Sequence, residues 1–149
     1  MTHTLIREQL VRRPIRDVFE FFARAENLER ITPPWLSFEL VTPEPIPMGP
    51  GTLIDYRLRL HRLPLRWRSR IEAWEENRGF VDRQVRGPYR LWHHRHEFEE
   101  LEGGCLVRDR VDYELPLGLL GEAAQAAFVE RDLARIFDYR RTAVAHMLG

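Results

Sequence analysis

The chain has 149 residues, 44% of them hydrophobic and 31% charged, a length and balance suited to one soluble domain, 1–149, with a sizeable core. Its 23 basic and 23 acidic residues cancel to a formal charge of zero, so whole-chain charge gives no reason to expect a nucleic-acid partner. Every basic residue is arginine, which excludes lysine Schiff-base chemistry and a Walker-type phosphate loop; G-x-S-x-G, G-x-G-x-x-G and C-x-x-C are absent, and the lone Cys105 excludes an internal disulfide.

The N-terminal "MTHTLIREQLVRR" is charged and lacks the apolar core of a signal peptide. No run approaches the roughly 20 apolar residues needed to cross a bilayer. A cytoplasmic protein without stable membrane insertion is the expectation. Residues 3–12 read as a first strand. Pro14 then suits a helix start, and Ile15, Val18, Phe19 and Phe22 recur at helical spacing. "AENLERITPPW" predicts a short second helix stopped by Pro33 and Pro34, and "TPEPIPMGPG" (42–51) is a proline-rich turn.

From residue 51 the period becomes two. Ile54, Tyr56, Leu58 and Leu60 share one strand face, with Asp55, Arg57 and Arg59 on the other. In the next strand Leu65, Trp67, Ser69, Ile71 and Ala73 fall on the apolar side and arginines opposite. "RGFVDRQVRG", "YRLWHHRHEFEEL" and "CLVRDRVDYELP" continue the alternation through "RGP" and "EGG" turns. The end of the chain, 119–147, predicts one continuous amphipathic helix whose stripe includes Val129, Leu133, Ile136, Phe137, Arg140, Val144 and Met147.

A curved antiparallel sheet of about seven strands must cover its apolar face, and the last helix is the element available to do it. The expected class is therefore α+β, a helix-grip fold: the sheet wraps a long C-terminal helix, with two short helices after the first strand.

The segments "RPIRDVFEFF", "ITPPWLSFEL", "FVDRQVRGPYRLWHHRHEFEE", "RDRVDYELPLGLLG" and "IFDYRR" also carry a likeness spanning essentially the whole chain. It resembles the START/polyketide-cyclase-like (SRPBCC) superfamily, in its bacterial ligand-binding branch. The resemblance implies a deep apolar cavity between sheet and C-terminal helix, used by relatives for lipids, sterols, aromatic polyketides and other hydrophobic molecules. Most such relatives bind or carry, and some catalyse.

Within "RLWHHRHEFEE" the strand period separates the three histidines. Trp92, His94, His96 and Phe98 point to the concave face, while Leu91, His93, Arg95 and Glu97 point outward. Asp82 and Gln84 share the inner face with Phe80, and Asp109 shares it with Cys105, Val107, Val111 and Tyr113. Three readings stay open at this stage. His94-x-His96 with Asp109, Asp82 or Gln84 has the donor types of a metal site, although the resemblance supplies neither metal nor cofactor, and neither is expected. The same residues make a satisfied buried hydrogen-bond network. They also suit a pocket's polar end, where His94, His96 and Asp109 are the candidates for general acid/base work.

Arg140 interrupts the helix stripe and either pairs with an inner carboxylate such as Asp109, anchors an anionic ligand head, or snorkels to solvent. Trp35, Phe38, Trp67, Trp92 and Phe137 are cavity lining or plain core. The six arginines of residues 56–70 read as a solvated outer face, balanced by Asp55, Glu72, Glu75 and Glu76, and Cys105 reads as a buried small hydrophobe. The function expected is binding of a small, largely hydrophobic ligand, through Tyr56, Trp67, Asp82, Gln84, Trp92, His94, His96, Asp109, Phe137 and Arg140. The alternative is an enzyme of the polyketide cyclase or dehydratase type.

Overall fold

The alternation of apolar and polar residues produces strands β1 (His3–Val11), β2 (Glu39–Leu40), β3 (Leu53–Leu60), β4 (Leu63–Glu75), β5 (Gly79–Arg86), β6 (Leu91–Leu101) and β7 (Gly104–Glu114). The computed structural model describes residues 1–115 and 122–149. All seven strands join one antiparallel sheet in the order β1-β7-β6-β5-β4-β3-β2. From β3 to β7 each strand pairs with the next in sequence, so side chains of β5, β6 and β7 meet at the sheet's centre.

The inner face is the one expected. Along β6 Trp92, His94, His96 and Phe98 are buried, and along β7 Cys105, Val107, Asp109, Val111 and Tyr113 are buried. Ala73 departs from the expectation and is exposed. The β4–β5 register shifts between Ile71 and Ala73, and this irregularity turns Trp74 inward in its place, edge-on to Phe19.

Tight turns hold these registers. His61 and Arg62 both take positive φ, 50° and 71°, in the two-residue β3–β4 turn, which suits the twist of the flanking strands. Gly79 serves a close approach: a Cβ there would lie 2.3 Å from the carbonyl oxygen of His96, so β5 can start against the histidine strand only with glycine.

Helix α1 (Ile15–Phe22) follows Pro14 and buries Val18 and Phe19. The expected second helix is instead three single-turn 3-10 segments, Ala25–Asn27, Glu29–Ile31 and Pro34–Leu36. Pro33 and Pro34 offer no backbone N–H, and Thr32, preceding them, is extended at φ −98° and ψ 135°. Side chains close the segment locally: Asn27 donates to the Phe21 carbonyl at 2.8 Å and Thr32 to the Leu28 carbonyl at 2.6 Å.

Helix α2 (Glu122–Leu148) lays Leu133, Phe137 and Val144 toward the sheet. Positions 119–121 of the expected helix lie outside the described residues. No helix among the described residues is long and apolar enough to cross a membrane. The core has two centres. One gathers Phe19, Phe80, Phe98, Cys105 and Val107 under α1, and the other gathers Trp67, Trp92, Tyr113, Leu133 and Phe137 under α2.

Candidate functional site

Three adjacent strands bring four titratable side chains together. In the register, Asp82 of β5 stands opposite His94 of β6, and Asp109 of β7 stands opposite His96. The short hydrogen bonds nevertheless run diagonally. His94 Nε2 lies 2.8 Å from Asp109 Oδ1, and His96 Nε2 lies 2.5 Å from Asp82 Oδ2. The direct neighbours are further apart, 3.9 Å for His94 Nδ1 to Asp82 and 3.5 Å for His96 Nδ1 to Asp109. Each imidazole therefore sits between two carboxylates and donates its Nε2 proton to one of them.

The rings are held by stacking as well. His94 and His96 lie 3.7 Å apart, centroid to centroid, and Phe80 stacks on His96 at 4.1 Å. Burial, together with the neighbouring His94, pushes the His96 pKa down to about 4 against the pull of Asp82 and Asp109, so His96 is neutral at neutral pH. Burial acts the other way on the carboxylates but is overcome. The charge of Arg140 and the hydrogen bond from His94 hold Asp109 well below the usual range, and the hydrogen bond from His96 lowers Asp82.

Arg140 completes the group. Its Nη2 is 3.5 Å from Asp109 Oδ1, with only 11% of either side chain exposed, and its guanidinium lies over the rings of Phe22 and Phe137 at 5.4 and 5.6 Å. The pairing with an inner carboxylate, one of the sequence alternatives, is the one found; snorkelling to solvent is not. Among the described residues the one sealed side-chain polar atom without a partner is Glu26 Oε1, outside this group. The chief partner of His96 is Asp82, while Asp109 is held by His94 and Arg140.

Between the sheet and α2 lies a cavity of about 190 Å³. Tyr56, Trp67 and Trp92 wall it from the sheet, Phe137 from α2, and Asp82, His94, His96 and Arg140 supply its polar part. Two candidates stand apart. Asp109 lies behind the histidines, against a second void of about 20 Å³ that Arg140 also borders. Gln84 is not on the cavity wall: it clamps the β5–β6 connection, donating to the Tyr89 carbonyl at 2.7 Å and accepting from the Tyr89 N–H at 3.1 Å. Trp35 is exposed on the exterior, against Tyr139 and Arg135. Phe38 does line the cavity.

Sequence reasoning missed Tyr89, Leu28 and Ile31, which also line it. Tyr89 sits in a turn, where strand alternation is silent; its ring meets Trp92 at 4.8 Å. Leu28 joins the first two 3-10 segments and Ile31 ends the second, and only their apolar character in an otherwise polar stretch signals them. Asp82, His94 and His96 offer a carboxylate oxygen and two imidazole nitrogens within 4.8 Å of one another, and these are the residues that could hold a small metal ion if the Asp82–His96 hydrogen bond opened.

A curved antiparallel sheet closed by a C-terminal helix over an apolar cavity defines the helix-grip class. The chain belongs to the polyketide cyclase / dehydrase and lipid transport family, whose model matches residues 11–137. Solved structures are similar over nearly the whole chain. The Zhui aromatase/cyclase of Streptomyces sp. R1128 superposes with a TM-score of 0.80 at 16% identity, covering 99% of this chain and 94% of that one. One half of StfQ, the di-domain ARO/CYC of the steffimycin biosynthetic pathway, superposes at 0.78 and 15% identity, covering 99% of this chain and 50% of that one. Ara h 8.0201 superposes at 0.68 and 16% identity, with 99% and 98% covered. At such identities the likeness shows the fold alone. No curated protein matches the chain.

Proposed function

We propose that this domain binds a small, largely hydrophobic molecule with one polar end in the cavity between sheet and α2. The observation that carries the proposal is the cavity's composition: about 190 Å³ walled mainly by aromatic and aliphatic side chains, with one convergent polar group. A void of about 150 Å³ lined by apolar side chains takes up benzene, so the space here suits a molecule of one or two rings. Tyr56, Trp67, Trp92 and Phe137 would hold the apolar body, with Asp82, His94 and His96 at the polar end. Native mass spectrometry of protein purified from its own host tests the reading. A retained small molecule, lost on mild heating, supports it; bare protein that also takes up no aromatic probe contradicts it.

A second reading is catalysis of the cyclase or dehydratase type, with His94 or His96 as general base and a carboxylate orienting it. It is favoured by the two His–Asp hydrogen bonds at 2.8 and 2.5 Å beside the cavity, which orient each imidazole. Turnover of a bound β-polyketone that disappears in the His94→Gln and His96→Gln variants would favour it over simple binding.

A further inference from the structure

Three polar side chains on the cavity wall form a chain outside the Asp82–histidine group. Trp67 donates its indole Nε1 proton to Ser69 Oγ at 3.0 Å, and Ser69 Oγ lies 3.4 Å from the Tyr56 hydroxyl. Strand register brings them together: Tyr56 of β3 stands opposite Trp67 of β4, and Ser69 follows two residues on, on the same inner face. Each of the three has one proton to donate, but the chain holds two hydrogen bonds. Whichever hydroxyl donates across the 3.4 Å contact, the other keeps an O–H that meets no acceptor among the described residues. This surplus does not turn on titration near neutral pH. Indole and serine stay neutral there, and burial pushes the Tyr56 phenol further up from its usual value. Ser69 is sealed, 4% exposed, whereas Tyr56 is half-buried, so the order Trp67 to Ser69 to Tyr56 leaves the free proton on the outermost group.

Building on the binding reading above, we infer that Tyr56 is a specificity-determining donor, and that the ligand offers it a neutral hydrogen-bond acceptor, a ring carbonyl or ether oxygen, at the β3–β4 side of the cavity. An apolar ligand seated there displaces water from the phenol and leaves its O–H unmet, a loss that a carbonyl-bearing ligand of the same shape avoids. Donation along Trp67 and Ser69 polarises the phenol and makes it a better terminal donor. A group with N–H alone to offer gains nothing from Tyr56. Arg24 and Arg140 also border the cavity and can donate, so substitution at Tyr56 is what separates its contribution from theirs.

Tetralin and 1-tetralone share one two-ring shape and differ by a carbonyl. Both are titrated against tryptophan fluorescence, and the carbonyl stretch of bound 1-tetralone is read by infrared difference spectroscopy. In the unaltered protein the stretch should fall below its frequency in an alkane, the mark of an accepted hydrogen bond. Tyr56→Phe keeps the ring; it should weaken 1-tetralone about fivefold to tenfold, leave tetralin unchanged and return the stretch toward its alkane value. Ser69→Ala should keep most of the preference, because Tyr56 still donates. An unshifted stretch in the unaltered protein overturns the inference whether or not the variants fold. So does a Tyr56→Phe chain that binds 1-tetralone as before, one that weakens both probes equally, or a loss confined to Ser69→Ala. Tetralin binding without 1-tetralone overturns the inference and spares the binding reading; failure of both probes to bind overturns both.

Discussion

The two ends of the sheet's concave face are made from the same kinds of residue and reach different states. Under α1, Phe19 is buried edge-on to Trp74, Phe80 and Phe98 at centroid distances of 5.4, 6.1 and 5.2 Å, and Cys105 and Val107 fill the remainder. Under α2, Trp67 and Trp92 meet edge to face at 5.3 Å, and α2 stands off from them to leave the cavity. What distinguishes the ends is how they are covered. The close-packed end is closed by both helices, with Val18 and Phe19 of α1 beside Val144 of α2, whereas over the other end, among the described residues, α2 is the one helix that contributes, through Leu133 and Phe137. Apolar character therefore marks a face to be covered, and the fit of the cover decides between core and cavity.

Truncation should break this comparison most visibly. Phe19→Ala removes a ring from the close-packed end and should cost about 3–5 kcal/mol by denaturant unfolding. Phe137→Ala borders existing space, so no wholly new cavity forms and its cost should be smaller by about 1 kcal/mol or more. Equal costs would mean the two ends are packed alike.

The ion pair sharpens it next. Arg140→Met leaves Asp109 buried with only the two histidines beside it and should lower stability by about 3 kcal/mol. A double Arg140→Met, Asp109→Leu chain should recover much of that loss, since both charges are then gone.

Titration offers a test of comparable size. Above pH 6.5 the His96 imidazole is neutral in both states and contributes no pH dependence. Between about 6.5 and about 4 the unfolded chain takes up a proton that the native chain withholds, so stability falls as pH drops, by about 3 kcal/mol across the window. Below about pH 4 both states are protonated at this site and its contribution ceases to change. His96→Phe should flatten this part of the profile; an unchanged slope would place the proton uptake elsewhere. The smallest effect belongs to the exterior: Arg59→Ala, on the exposed face of β3, should shift stability by less than about 0.5 kcal/mol.

Much of the fold was legible because strand alternation is a strong signal wherever one face is solvated. It put His94, His96 and Asp109 inward and His93 outward, and the meander order made their strands neighbours. Alternation fails where the chain departs from regular pairing. The β-sheet irregularity after Ile71 exchanges Ala73 for Trp74, the prolines break an apolar helical pattern into 3-10 turns, and Gln84, inward by period, is captured by the turn it precedes. The diagonal His–Asp pairing was equally hidden, because register names neighbours and side-chain torsions choose partners. Cavity and core, last, differ by a few ångströms of helix position that no residue pattern encodes.

Each end of the concave face carries its own tryptophan reporter, and this permits the most direct test of the cavity. In a titration with naphthalene followed by the indole N–H resonances, Trp67 and Trp92 line the space, Trp74 lies at the close-packed end and Trp35 lies on the exterior. Saturable shifts of Trp67 and Trp92, with Trp74 and Trp35 unmoved, are the expected result. Unmoved Trp67 and Trp92 at saturating probe, or shifts confined to Trp35, would contradict a ligand-accepting cavity.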